Sequence, residues 1–185
     1  MIRYRFVFAK KTPLKIGEGR ISDYLKSIFL ELFPVVDDKK NRFSFGPSLA
    51  LNFESESEYI DVYMKYRMNE DFIIDLVEKN ISDDYSLIRF RTIPLYFPSV
   101  ESVLDAIGYE FYLDKEFNNE FLLDKSMFNV DGVLDFKIGK SSFYVILKKV
   151  IKINDFINFF SNYNFLRRIR KNLYWIDSKG NIRII

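Results

Sequence analysis

Apolar and polar residues alternate from the second position of the chain: Ile2, Tyr4, Phe6 and Phe8 fall on one side, Arg3, Arg5, Val7 and Ala9 on the other. That period of two predicts a strand with one apolar face, its arginines pointing away from that face. A loop with Pro13 and two glycines follows. Tyr24, Leu25, Ile28, Phe29 and Leu32 then recur at helical spacing, with Ser22 placed to cap the helix and Pro34 to stop it. Arg42 to Tyr66 reads as two strand-like runs joined by an acidic, serine-rich turn. Gly46-Pro47 should end or bulge the first run, because proline donates no ladder hydrogen bond. The second run alternates, Ile60, Val62 and Met64 against Tyr59, Asp61, Tyr63 and Lys65. Asn69 is placed to cap a second helix carrying Phe72, Ile73, Leu76 and Val77. Leu87 to Ile93 returns to alternation, with Ile88 and Phe90 opposite Arg89 and Arg91.

The order so far is β-α-β-β-α-β, that of a ferredoxin-like unit. Pro94 and Pro98, with the segment to Ala106, read as a seam. The pattern then starts again. Gly108 to Leu113 is strand-like, Phe117 to Met127 a weak helix, Gly132 to Lys148 a hairpin turning at Gly139-Lys140. Asn154 is placed to cap a helix with Phe156, Ile157 and Phe160. Leu166 to Ile176 is extended and basic, and Asp177-Ser178-Lys179-Gly180 turns Ile182 to Ile185 back along it. The predicted fold is α+β: two ferredoxin-like units with antiparallel sheets, one over residues 1–95 and a second α+β half over 107–185.

Composition narrows the chemistry. A chain of 185 residues with an aromatic share of 18% can bury a large core, and 29% charged residues argue against a disordered or membrane protein. The absence of every Cys and His removes disulfides, cysteine-ligated clusters and histidine acid–base catalysis. The opening MIRYRFVFAKK has no apolar run of signal-peptide length, and no later run reaches transmembrane length, so a cytoplasmic protein without a membrane partner is expected. A net charge of +2 gives little overall pull on nucleic acid, so any such binding needs a local patch.

Two such patches are visible. Lys148, Lys149, Lys152, Arg167, Arg168, Arg170 and Lys171 lie close in sequence to Tyr163, Tyr174 and Trp175. Cations with exposed aromatics hold phosphates and stack bases; the same residues also fit a charged edge strand that resists aggregation, with Trp175 in the core. The second patch is a sheet face. If the helices cover Ile2, Tyr4 and Phe6, then Arg3, Arg5, Tyr59, Tyr63, Arg89 and Arg91 share the opposite side, where RNA-recognition sheets place their stacking aromatics. The competing reading has the second half packed there, with the arginines paired to carboxylates. Glu54, Glu56, Glu58 and Asp61 offer oxygens to hard cations but lack a ligand spacing. They read as a solvated rim, and neither metal nor cofactor is expected. Gly17-Glu18-Gly19-Arg20 fits no phosphate-loop pattern.

The segment RFSFGPSLALNFESESEYIDV resembles one shared by a bacterial family of unknown function known as radical-SAM-linked proteins. Phe43 to Pro47, Leu49 to Leu51, Glu54, Ser55, Glu58, Tyr59 and Asp61 carry it, with weaker similarity in IRYRFVFAKKTPLKI and LYWIDSKGNIRII. Members usually have histidines at the start of the first helix and in a loop before the strand, where this chain has Gly19 to Lys26 and Val35 to Lys40. Any work those histidines do is lost here. The resemblance implies association with a radical SAM enzyme and a setting in RNA metabolism. The expectation is a non-catalytic accessory or RNA-binding module rather than an enzyme. The alternatives are a metal-independent RNA-processing endonuclease of the paired ferredoxin-like type and a structural protein-interaction domain. Against the endonuclease, Gly180 is the one glycine in the last 45 residues.

Overall fold

The computed structural model describes residues 1–38, 42–114, 123 and 125–185. Strand β1 (Ile2–Lys10) follows the first alternation. Its Tyr4, Phe6 and Phe8 are buried beneath α1 (Ile21–Leu32), where the Phe6 and Phe29 rings lie 4.6 Å apart. Arg20 occupies the cap position of α1 and makes no side-chain cap, so Ser22 falls inside the first turn instead of capping it. Strand β2 (Phe43–Phe45) stops at Gly46-Pro47, as expected. Strand β3 is longer than the alternation suggested: it runs over Glu54–Met64 and takes in the acidic residues read as a turn.

Helix α2 (Glu70–Asn80) is capped by Asn69, whose side chain accepts from the Phe72 amide at 3.0 Å. In β4 (Tyr85–Ile93) the register against β1 shifts between Val7, opposite Arg89, and Phe8, opposite Leu87. A bulge at Ile88 therefore turns that side chain to solvent while Leu87 packs on the core. The segment after Pro94 contains the single turn α3 (Val100–Val103) and leads into β5 (Ala106–Leu113). The weak helix expected over Phe117 to Met127 falls largely outside the described residues, and Lys125–Phe128 forms a 3-10 turn. Strands β6 (Val133–Ile138) and β7 (Ser142–Lys148) make the expected hairpin. Helix α4 (Ile153–Asn158) starts after Lys152 without a side-chain cap, so Asn154 does not cap it. Strands β8 (Phe165–Ile176) and β9 (Ile182–Ile184) end the chain.

All nine strands join one mostly antiparallel sheet rather than two. Within it the first half is ordered β4-β1-β3-β2 and the second β8-β5-β7-β6, every neighbouring pair antiparallel. The halves meet where β3 runs parallel to β8, with Glu54 opposite Ile169 and Ser55 opposite Arg170. Phe53 ties the cores together, its ring edge-on to Tyr109 at 5.5 Å and to Phe111 at 5.9 Å. One hydrophobic cluster consequently extends from Tyr4 to Phe160. On the other side of β5, Gly108 leaves room for the hydroxyls of Tyr144 and Tyr174 to bond at 2.5 Å; a Cβ on Gly108 would lie 2.0 Å from the Tyr144 oxygen.

Candidate functional site

Cross-strand register brings the six sheet-face residues together. Arg3 stands opposite Tyr63 and Ile93, Arg5 opposite Asp61 and Arg91, Val7 opposite Tyr59 and Arg89. Directly paired residues of antiparallel strands share a face, so Arg3, Arg5, Arg89 and Arg91 lie on the same side of the sheet as Asp61. Asp61 is fully buried and accepts from Arg3 Nη2 at 2.5 Å and from Arg5 Nε at 2.7 Å. Arg3 spends its remaining donors on the backbone carbonyls of Phe97 (2.5 Å) and Pro98 (3.0 Å), and its guanidinium lies 5.4 Å from the Tyr63 ring. These two arginines are buried structural cations, not exposed ligands. Tyr59 is buried as well, donating to the Ile185 carbonyl at 3.0 Å, and desolvation raises the pKa of its phenol against the opposing pull of Arg89, Arg5 and Arg91. The arginine–carboxylate pairing of the competing reading is present at Arg3 and Arg5.

Arg89 and Arg91 are the face's solvent-reaching cations, and neither has a hydrogen-bond or ion-pair partner among the described residues. Desolvation first, then the nearby charges of Arg5 and Arg89, lowers the pKa of Arg91. Such a site can attract an anion, because the sheet sets both cations on one strand and the Asp61 carboxylate nearby is already bonded to Arg3 and Arg5.

The basic residues of the second half divide. Arg170 is buried: it donates to the carbonyls of Pro47 (2.7 Å), Ser48 and Ser57, to Ser55 Oγ, and to the Glu58 carboxylate. It cannot track a phosphate. Arg167 forms a bidentate pair with Glu54, and Lys171 pairs with Glu56 at 2.6 Å, so the acidic run read as a solvated rim is the counter-charge of β8. Arg168 is half-buried, its guanidinium 5.3 Å from the Phe165 ring, and desolvation lowers its pKa. Lys148, Lys149 and Trp175 are exposed at the opposite end of β8, since Ala106 separates Lys148 from Tyr174 across the sheet. Arg167 and Trp175 are about 26 Å apart along the strand, taking 3.3 Å per residue. These cations therefore do not form one surface.

Sequence reasoning missed the turn after β4. Leu95, Tyr96 and Phe97 are all exposed there, Tyr96 by 86%, between two prolines that had suggested only a seam. Near the start of α1, a cavity of about 170 Å³ is lined by Arg20, Ser22, Gly46, Pro47 and Ser48. Its one described carboxylate, Glu58, is held by Arg170.

Residues 39–137 match the profile of a bacterial family described as "Uncharacterized protein conserved in bacteria (DUF2344)", more than half of the chain. The chain belongs to this family. The DUF2344 match takes in β2 through β5 and β6 as far as Lys137, with Arg89, Arg91 and the exposed turn, and it stops before Lys148, Lys149 and all of β8. No curated protein matches the sequence. Among the described residues of this DUF2344 chain no helix is long and apolar enough to cross a membrane.

Proposed function

We propose that this DUF2344 chain is a non-catalytic accessory module that binds RNA and presents it to a partner enzyme. The observation that carries the reading is the arginine face, where Arg89 and Arg91 stand exposed beside Arg5 with no hydrogen-bond or ion-pair partner among the described residues, and Asp61 is already shared by Arg3 and Arg5. The resemblance of Arg42 to Val62 implies a radical SAM enzyme as the partner, which the chain would assist without holding a cluster, having no cysteine. The two halves are read as ferredoxin-like units on the strength of their shared strand order.

Fluorescence anisotropy with labelled single-stranded RNA at several salt concentrations tests the proposal. Affinity should fall with salt at about 0.7 log units per decade for each phosphate neutralised. Arg89→Glu with Arg91→Glu should flatten that slope and weaken binding by tenfold or more, whereas Lys148→Glu with Lys149→Glu, on the remote patch, should change it less. No binding at low salt, or binding indifferent to the arginine reversal, would reject it.

A further inference from the structure

The exposed turn between β4 and α3 extends the arginine face. Leu95, Tyr96 and Phe97 are 48%, 86% and 51% exposed, three large apolar side chains in a row that the fold leaves to solvent. An exposed apolar patch rimmed by polar residues marks a contact site. The turn is also held in place. Pro94 and Pro98 restrict its backbone, the Phe97 amide bonds the Pro94 carbonyl at 3.0 Å, and the buried Arg3 guanidinium ties the Phe97 and Pro98 carbonyls to Asp61. Its rings are separate platforms, Tyr96 and Phe97 standing 6.0 Å apart and inclined at 46°. Ile93, the last residue of β4, sits opposite Arg3, two positions beyond Arg91. The turn thus continues directly from the strand that carries Arg89 and Arg91, its backbone held by Arg3 of the same face.

We infer that this turn is a base-stacking platform and that the strand it takes is single-stranded RNA, with phosphates on Arg89 and Arg91 and unpaired bases on Tyr96 and Phe97. The inference rests on the RNA-binding reading and deepens it. Charge decides the occupant: two exposed arginines, Arg89 and Arg91, on a face whose carboxylate is already bonded to Arg3 and Arg5 attract a polyanion, and among polyanions a single strand offers flat apolar rings to exposed aromatics. A duplex stacks its bases internally and offers none. Because Arg3 and the prolines hold the backbone of the turn, binding orders the two side chains but not the chain that carries them.

The test uses the full chain with a labelled single-stranded RNA, the same RNA annealed into a duplex, and inorganic polyphosphate as competitor. Tyr96→Ala, at a ring so exposed that folding does not depend on it, should lower single-strand affinity about five- to tenfold. Adding Phe97→Ala should lower it further. Both variants should leave the salt slope and the competition by polyphosphate unchanged, and Tyr96→Trp should restore binding. If the aromatic variants bind like the parent while Arg89→Glu with Arg91→Glu still weakens binding, the platform is wrong and the RNA reading stands. If neither set matters, both fail. Duplex bound as tightly as single strand overturns the platform, and so does loss of a co-purifying protein with RNA affinity intact, which would assign the rings to a protein contact.

Discussion

Two residues decide more than their neighbours. Arg170 pairs with the buried Glu58 carboxylate, and it also serves the carbonyls of Pro47, Ser48 and Ser57. Removing one partner of a buried pair leaves an uncompensated charge, so Arg170→Met should cost about 3–5 kcal/mol, measured by chemical denaturation. Adding Glu58→Leu should recover much of it, since the apolar pair strands no charge; if the double variant is as unstable as the single, the loss lies in the orphaned carbonyls. Gly108 is the second. Its missing Cβ is what admits Tyr144, so Gly108→Ala should cost about 1–3 kcal/mol by overpacking. Combined with Tyr144→Val, the alanine should cost much less than it does alone, and additive losses in a double-mutant cycle would count against a local clash.

At the scale of elements, the closing hairpin offers a pH test. Asp177 accepts from the side chain and amide of Asn181, from the Lys179 amide and from Arg183, and these bonds, the Asn181 side chain first, hold its pKa at about 2. A carboxyl lowered in the folded state contributes stability above its unfolded pKa and loses that contribution as pH falls through the folded one. The Asn181 amide resonance should therefore titrate with a midpoint near 2; a midpoint near 4 would mean the turn bonds do not persist in solution. Most strands and both long helices were legible because each buries one face and shows its period locally. So was the shared side of Arg3, Arg5, Tyr59, Tyr63, Arg89 and Arg91, which follows from period two and strand order. What escaped was set by distant partners. Glu54, Glu56 and Glu58 looked like a solvated turn because their cations sit more than 100 residues away on β8. Burial of Arg3 depends on a linker that folds back, and the bulge at Ile88 on a register that only β1 sets.

For the molecule as a whole, the continuous sheet and the Phe53 bridge predict that the halves unfold together. Trp175 fluorescence reports on the second half and helix circular dichroism mostly on α1 and α2 in the first, and the two should give coincident denaturation curves; separated midpoints would show independent halves. The parallel seam itself exists because of Pro47. A full-length β2 would have covered all of β3, as β6 covers β7 from Phe143 to Leu147, but Gly46-Pro47 ends it at Phe45 and leaves Glu54 and Ser55 open to β8. The contact is head-to-tail, third strand of one unit to fourth strand of the other, the kind that can repeat without closing into filaments. Here it stops after a single step. Each copy carries one socket and fills it with its own β8, so the free edge of β4 meets no vacant socket on another molecule, and this route of growth is closed by the chain that opened it.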